Sequence, residues 1–564
     1  MKIDYNNPWL VTLIGGVVVG VALYFMLEFR DRKRTDSVLL ARIWDAEQLE
    51  EKGMYTDALR IDEELLKEVS NKKHPDVYGR IKFNEGSCFS ESGQEGDKEE
   101  NLTKAIQAFE EALKIRTVEK YPVEYAQTQN NLGNAYGRLS GIRDKEENLT
   151  KAIHAFKEDL KIETAEKYPV GYAQTQNNLG NAYRMLAGVR NREDNITKAI
   201  QAYKAALEIS TVKKYPVDYA QTQGNLGNAY VDLAGVRNRE ENLTKAIQVF
   251  AENLKIRTVE KSPVEYAQTQ NNLGTAYDDL AGVRDKEENL TKAIQAFEEA
   301  LKVETFEKYP VDYAYVQGNL GNAYVHLGEA RDKEENLTKA IQAFEEVLKI
   351  ETVEKYPVDY AQAQNDLGNA YRILAGVRNK KENLAKAIQA SKEALKIRTV
   401  QRYPFAHAVT QNNLGDAYSN LAKICDKEGN LSKAIQAYEE TLEGRTVDKY
   451  PVAYVEAALA DLGNAYIALA EVRNKEGNLT KAIQAYEEVL KMSIAEKHPI
   501  LYGQIQYELG TAFDALAGVR DEKQNLTCAI HAYEEALKIS AAEKYPLLHN
   551  WTMTNLLRDQ RKMK

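Results

Sequence analysis

Residues Tyr121–Glu166 read YPVEYAQTQNNLGNAYGRLSGIRDKEENLTKAIHAFKEDLKIETAE, and the chain then returns to Tyr-Pro at Tyr168. The Leu-Gly step at Gly133 recurs every 47 residues, with a single interval of 48. The later copies are Gly180, Gly227, Gly274, Gly321, Gly368, Gly415, Gly463 and Gly510. Self-similarity at a fixed period of about 20–50 residues is typical of a solenoid, in which each unit buries its apolar face against its neighbours.

Each unit is predicted to be a hairpin of two helices, A and B. Pro122 suits the first turn of helix A, because the N–H that proline lacks has no partner there. Asn148 is predicted to cap helix B. Gly133 costs about 1 kcal/mol relative to alanine inside a helix, so its recurrence predicts a closely packed second backbone. The apolar or small positions at helical spacing are Tyr125, Ala126, Leu132, Gly133, Ala135, Tyr136 and Leu139 in helix A and Ala152, Ile153, Phe156, Leu160 and Ile162 in helix B.

Five of these positions resemble the tetratricopeptide repeat signature of Leu-Gly, Tyr, Ala and Phe. They are Leu132, Gly133, Tyr136, Ala152 and Phe156. The unit is longer than the 34 residues of that family, and the long form resembles the repeats of kinesin light chains. The resemblance implies an all-α, TPR-like α-solenoid, a right-handed superhelix of helical hairpins, which binds a peptide or protein partner in its concave groove.

The composition argues against several other classes of protein. The 564 residues are 43% hydrophobic and 28% charged, with a net charge of −10. An acidic total disfavours a general nucleic-acid-binding role. The only cysteines, Cys88, Cys425 and Cys528, are too far apart for a zinc motif or a disulfide framework, and their number fits a reducing compartment.

The N-terminal region contains a predicted transmembrane helix. Trp9–Leu27 is an uncharged, mainly apolar run, which corresponds to about 28 Å of helix and so to a bilayer core. The basic cluster at Arg30–Arg34 follows it, and the positive-inside rule then places the repeats in the cytoplasm. Gly16 and Gly20 match a small-xxx-small pattern, by which such helices dimerise.

The predicted domain organisation follows from these features. Residues 1–8 are a short extracytoplasmic N-terminus, 9–29 the transmembrane helix, 30–36 a basic juxtamembrane segment, 37–72 a divergent first TPR-like hairpin, 73–543 ten long repeats and 544–564 a C-terminal capping helix. A terminal repeat that departs from the pattern is expected of a cap. Four apolar residues are predicted to cover the last repeat, and four basic residues to face water. These are Leu548, Trp551, Leu556 and Leu557, and Arg558, Arg561, Lys562 and Lys564.

No motif of enzyme chemistry stands out. The chain has no Walker loop, dinucleotide glycine fingerprint or His-Glu-x-x-His, and its seven histidines are scattered among the units. We therefore predict no enzyme activity, no cofactor and no metal. Asn-x-Ser/Thr sequons occur at one phase, just before helix B, and they are explained either as helix caps or as glycan acceptors. They are Asn101, Asn148, Asn195, Asn242, Asn289, Asn336, Asn430, Asn478 and Asn525.

Regular amides on helix A are the predicted peptide-binding residues. An amide offers a donor and an acceptor, so a row of amides can pair with the backbone of an extended segment. In the family that this chain resembles, the Asn after Leu-Gly hydrogen-bonds a bound peptide. The corresponding residues are Asn134, Asn181, Asn228, Asn322, Asn369 and Asn464, with Asn131, Asn178 and Asn225 two residues before the glycine. Arg138, Arg184 and Arg372 are the basic residues available to bind a C-terminal carboxylate.

Two alternatives remain open from the sequence. The amides have a purely structural explanation, in which they tie adjacent helices together or face water. The chain as a whole is interpreted as a membrane-anchored scaffold for a peptide or protein partner. The alternative is a self-assembling structural component of a membrane-associated complex, in which copies of the chain bind one another.

Overall fold

Every regular element in the described part of the chain is an α-helix. The computed structural model describes residues 38–92, 97–443, 452–492, 498–539 and 545–563. The predicted transmembrane helix, residues 9–29, lies outside these ranges. The prediction of an all-α solenoid of helical hairpins is confirmed for the residues that are described.

One shorter pair of helices is followed by ten pairs, each made of a longer helix A and a shorter helix B. That first pair is α1 (38–51) and α2 (Tyr55–Glu68). The following ten pairs are α3 (Pro75–Ser92) and α4 (Lys98–Leu113), α5 (Pro122–Leu139) and α6 (Lys145–Asp159), α7 (Pro169–Ala187) and α8 (Arg192–Ile209), α9 (Pro216–Ala234) and α10 (Arg239–Leu254), α11 (Pro263–Ala281) and α12 (Lys286–Leu301), α13 (Pro310–Ala330) and α14 (Lys333–Val347), α15 (Pro357–Leu374) and α16 (Lys380–Leu395), α17 (Pro404–Ala422) and α18 (Lys427–Glu443), α19 (Val452–Ala470) and α20 (Lys475–Leu490), and α21 (Pro499–Ala517) and α22 (Glu522–Ile539). The last helix is α23 (Pro546–Met563).

The chain divides into two compact units, Met1–Lys261 and Ser262–Lys564. Within each unit, every helix A packs against its own helix B, and successive A-helices also contact one another, as in α5 with α7 and α19 with α21. Among the described residues, no two successive B-helices are in contact. The more closely spaced layer of a curved stack lies on its inner side, so the A-helices form the inner face of each unit. We call this surface the A-face.

Helix A begins as predicted. In α5, Tyr121 precedes the helix with φ −138° and Pro122 occupies its first turn. The same arrangement of proline recurs in α7, α9, α11, α13, α15, α17 and α21. The missing N–H is no loss in a first helical turn, and the fixed φ of proline is already helical. The regular prolines therefore set the start of each repeat.

The prediction that Asn148 caps helix B is wrong. Helix α6 begins at Lys145, and the residue before it, Asp144, adopts a left-handed conformation with φ 45°. Aspartate and asparagine tolerate this conformation better than most residues, so the chain turns four residues earlier than expected. The same turn recurs at Asn191, Asn238, Asp285, Asp332, Asn379, Asp426, Asn474 and Asp521.

The sequon asparagines instead close the turn from inside the helix. Asn148 is buried, and its Nδ2 donates a hydrogen bond to the Arg143 carbonyl at 2.9 Å. A buried polar group needs such a partner. A glycan would be attached to this same nitrogen, which would then have to be exposed. The hydrogen bond instead gives a structural reason why asparagine recurs at this position. The equivalent hydrogen bond is made by Asn195, Asn242, Asn289, Asn336, Asn430, Asn478 and Asn525.

An aromatic ring, rather than a second backbone, packs on the recurrent glycine. A Cβ added to Gly133 would lie 2.7 Å from Cε1 of Phe156 in α6. The prediction of a close approach is therefore right, but the predicted neighbour is wrong. Phenylalanine or tyrosine occupies this place in every described long repeat except that of Gly368, where the ring is replaced by Ser391.

The last helix covers its neighbour less completely than predicted. Of the four apolar residues expected to cover the preceding repeat, only Leu556 is buried, while Trp551 and Leu557 are exposed. Two of the basic residues do not simply face water, because Arg558 and Lys562 both bind Asp514 of α21. The C-terminal end of the second unit therefore retains an exposed apolar surface.

Candidate functional site on the A-face

All twelve predicted binding residues lie on A-helices. Asn464 is exposed, and the other eleven are half-buried. These eleven are Asn131, Asn134, Arg138, Asn178, Asn181, Arg184, Asn225, Asn228, Asn322, Asn369 and Arg372. Such side chains are in reach of a ligand and are also held by their neighbours, so the contacts of each residue decide what it can bind.

A cavity of about 700 Å³ in the first unit brings five of the twelve residues together. They are Asn131, Asn134 and Arg138 of α5 with Asn178 and Asn181 of α7. The rings of Phe109 and Phe156 contribute to the lining. We call this site the amide cavity. A second cavity of about 280 Å³ shares Asn134 and Asn178 with it and extends the amide lining to Gln221 of α9.

Two amides of this cavity have no internal hydrogen bond. The side chains of Asn131 and Asn178 bond to no other group within the described residues, whereas Asn134 donates to Asn130 at 3.1 Å. An unpaired amide in a half-buried site retains both its donor and its acceptor for a ligand. The cavity therefore presents hydrogen-bonding groups that suit a peptide backbone.

The aromatic residue of helix B decides whether the side-chain oxygen of the asparagine after Leu-Gly accepts a hydroxyl hydrogen bond. Tyr203 donates its hydroxyl to Asn181 at 2.8 Å, and Tyr486 donates to Asn464 at 2.7 Å. Where phenylalanine stands in this place, no hydroxyl is present. The asparagines of those repeats are Asn134, Asn228 and Asn322, which lie beside Phe156, Phe250 and Phe344. Sequence reasoning missed this pairing, although the alternation of Phe and Tyr at one phase is visible in the sequence.

The second row of amides partly fits the structural alternative. Asn225 donates to Asn177 of the preceding A-helix at 3.0 Å. The same bond joins Asn319 to Asn271 and Asn413 to Asn365. These amides tie neighbouring repeats together, whereas Asn131 and Asn178 at the same phase do not. The amide row is therefore structural in some repeats and open in others.

The three predicted basic residues are each held by an acidic residue of a neighbouring A-helix. Arg138 lies 3.1 Å from Glu91. Arg184 lies 3.6 Å from Asp232, and Arg372 lies 3.6 Å from Asp416. An incoming carboxylate would compete with these partners. Burial and the charges of nearby glutamates raise the pKa of Glu50, which also lines the amide cavity, to about 7. The cavity therefore favours an uncharged backbone over a terminal carboxylate.

The described ranges contain no group of three or more His, Cys, Asp or Glu side chains placed to hold a metal ion. The three cysteines are free thiols. His326 lies 2.9 Å from Asp278, and this hydrogen bond raises the pKa of the imidazole. No helix in the described part of the chain is both long and apolar enough to cross a bilayer.

Helical hairpins that stack through one shared face, with amides along it, make up a helical repeat array. The family model described as tetratricopeptide repeat matches residues 321–352, 415–443 and 463–493. These three stretches, all in the second unit, are therefore recognised as tetratricopeptide repeats. The finer resemblance to kinesin light chains stays a prediction.

Several solved structures are similar to the chain at low identity. The C-terminal part of a TPR repeat-containing protein from Cytophaga hutchinsonii is 17% identical, covers 53% of this chain and 92% of its own, and has a TM-score of 0.34. Human IFIT1, solved as a dimer with PPP-AAAA, is 14% identical over 88% of this chain and 89% of its own, with a TM-score of 0.41. Yeast Tom70 is 14% identical over 93% and 97%, with a TM-score of 0.30. No curated protein sequence matches the chain.

Proposed function

We propose that this protein is a membrane-anchored, non-catalytic interaction scaffold whose A-face binds an extended segment of a protein partner. The amide cavity is the observation that carries this proposal. It joins amides from two successive repeats, and two of these, Asn131 and Asn178, have no hydrogen-bond partner within the described residues. An extended peptide has unpaired N–H and C=O groups along its length, and amides satisfy both.

The anchor and the cellular side of the repeats belong to the same proposal. They rest on the apolar run at Trp9–Leu27 and on the basic cluster at Arg30–Arg34 that follows it. Resistance of the full-length chain to carbonate extraction from membranes tests the anchor. Protease access to a C-terminal tag in sealed cells and in opened cells tests the side. Release by carbonate, or digestion of the tag in sealed cells, contradicts this part of the proposal.

The peptide-binding part is tested by replacing the two unpaired amides. We expect the full-length chain to capture a specific set of proteins in a proximity-labelling experiment. Asn131→Ala with Asn178→Ala should reduce that capture at least tenfold, because two hydrogen bonds to the ligand are lost. Circular dichroism should be unchanged, since neither side chain bonds to another group in the described structure.

A matched control uses amides on the opposite layer. Gln107 and Gln201 are exposed on the B-helices α4 and α8, and Gln107→Ala with Gln201→Ala should leave capture intact. Equal loss in both variants contradicts a role for the A-face. Recovery of the protein itself alone, from all forms, would instead favour the self-assembling structural component.

A further inference from the structure

The C-terminal end of the second unit contains a groove of about 690 Å³ on the A-face. It lies between α19, α21 and α23 and is lined by Ala457 and Ala460 of α19, Ile500 of α21 and Leu547 and Trp551 of α23. Trp551 is 56% exposed and Leu547 is 66% exposed. We call this site the apolar groove. Exposed apolar side chains in a concave site mark a surface that gains free energy when a partner covers it.

The groove departs from the repeat pattern at the amide positions. Asn130 and Asn131 stand three and two residues before Gly133. The residues at these places are Ala460 and Asp461 in α19, and Tyr507 and Glu508 in α21. Duplication alone would have kept the amides. The last repeats have instead replaced them with apolar or aromatic side chains, each followed by a carboxylate.

The two carboxylates of the groove are not held by hydrogen bonds or ion pairs in the described residues. Within the described residues, Asp461 and Glu508 make no hydrogen bond or ion pair through their side chains. Burial raises the pKa of both groups, to about 7 for Asp461, where the nearby charge of Asp416 adds to the effect. The charge of Arg372 offsets only part of this effect at Asp461. A desolvated carboxylate without an ion pair is unfavourable, and a cation placed beside it removes much of that cost.

The aromatic side chains of the groove suit the same kind of ligand. The rings of Tyr507 and Trp551 lie 6.5 Å apart and are tilted by 33°. Ring faces attract cations, most strongly the face of tryptophan. An alkyl stem ending in a positive charge, as in lysine or arginine, matches apolar walls that surround a carboxylate.

We propose that the apolar groove is a docking site for a partner segment in which a lysine or arginine is flanked by apolar side chains. The apolar flanks cover Ile500, Leu547 and Trp551, and the cation lies against Asp461 and Glu508. This site is separate from the amide cavity and does not depend on peptide binding there. It gives the scaffold a second specificity, for charge and apolar character rather than for backbone.

A random heptapeptide library displayed on phage, selected against the full-length chain, is the test. We expect the selected peptides to be enriched in Lys or Arg next to Leu, Ile or Phe. Synthetic copies of the selected peptides should bind the double variant Asp461→Asn/Glu508→Gln at least tenfold more weakly than they bind wild type, because a desolvated charge pair is lost. Trp551→Ala should also weaken them. Replacing the basic residue of a peptide by norleucine should abolish the difference between wild type and the amide variant.

The controls separate this site from the amide cavity and from misfolding. The double variant Asn131→Ala/Asn178→Ala should bind the selected peptides as wild type does. This expectation does not depend on the result of the test of the amide cavity. The carboxylate-to-amide changes preserve shape, so circular dichroism should be unchanged. Enrichment of acidic or uncharged peptides, no enrichment, or equal binding to all variants overturns the proposal. So does a change of oligomeric state on Trp551→Lys, which would show that a second copy of the chain fills the groove.

Discussion

The amide cavity and the apolar groove occupy equivalent repeat positions but differ in chemistry. Both lie on the A-face beside the recurrent Leu-Gly step, at Gly133 in the first unit and at Gly463 in the second. One presents Asn131 and Asn178, and the other presents Asp461 among apolar side chains. The repeat period therefore sets the positions of the helices, while a few residues before the glycine decide what each repeat can bind. Variants that change one of the two sites, or the packing beneath it, test this difference.

The largest expected effect is on the packing that supports the amide cavity. Gly133→Ala places a methyl group 2.7 Å from the Phe156 ring, and overpacking of this kind costs about 1–3 kcal/mol. Native-state hydrogen exchange of the α5 amides should show this loss, since local opening is measured separately from unfolding of the whole array. The matched control is Gly137→Ala, one helical turn later, where nothing lies within 4 Å. That change should stabilise α5 by up to about 1 kcal/mol, and equal effects at the two glycines contradict the packing explanation.

The apolar groove should respond to pH through Asp461. Burial raises the pKa of this group from 3.8 to about 7. The folded chain therefore holds a proton between these pH values that the unfolded chain releases, so the free energy of unfolding falls as pH rises from about 4 to 7. The slope is at most about 1.4 kcal/mol per pH unit.

Asp461→Asn should reduce that slope, as measured by hydrogen exchange of α19 at several pH values. The exposed carboxylate Glu471, which pairs with Lys427 at 2.6 Å, provides the control, and Glu471→Gln should leave the slope unchanged. An unchanged slope in Asp461→Asn would show that another group titrates.

A reciprocal exchange of aromatic residues tests how the two regions differ beneath the A-face. Tyr486→Phe removes the hydroxyl that binds Asn464 at 2.7 Å, and should cost α20 about 0.5–1.5 kcal/mol by hydrogen exchange. Phe156→Tyr adds a hydroxyl beside Asn134 and should occupy its side-chain oxygen, since its Nδ2 already donates to Asn130. We expect Phe156→Tyr to lower capture by the amide cavity several-fold without loss of helix. Unchanged capture would mean that Asn134 does not contact the ligand.

The smallest expected effect separates open amides from structural ones. Asn178→Ala should change the stability of α7 by less than about 0.5 kcal/mol, because this side chain bonds to no other described group. Asn225→Ala removes the bond to Asn177 at 3.0 Å and should cost about 1 kcal/mol. Thermal and chemical denaturation of the two variants, side by side, measures the difference. Equal costs would return the whole row to the structural explanation.

The sequence predicts the order and start of the helices well, and the contacts between side chains less well. The period and Pro122 give the helix order and the start of each helix A, because proline acts through local backbone geometry. The turn before helix B was not predicted from the sequence. Residue type allows both solutions, because asparagine at 148 is a preferred helix cap and aspartate at 144 tolerates the left-handed conformation. Only the folded chain shows which of the two the backbone uses.

The candidate site shows the same limit. Residue type marks the asparagines of the A-face, but their availability depends on partners one repeat or one helix away. Asn181 is occupied by Tyr203, whereas Asn178 is open. The pattern of identical amides therefore overstates the similarity of the repeats. The apolar groove was missed because its signal is a loss of the repeated residue, visible only after the role of the amides is known.

The ion pairs between repeats have a consequence for how such a chain can change in evolution. Arg190 lies 2.8 Å from Glu146, and Arg237 lies 2.7 Å from Glu193, with the same separation in sequence. Excision of one period, residues 168–214, would leave Arg237 facing Glu146 with an equivalent partner. Copies can thus be gained or lost by recombination between similar segments of the gene without these ion pairs being redesigned. The number of binding positions then becomes a heritable quantity that changes in whole steps.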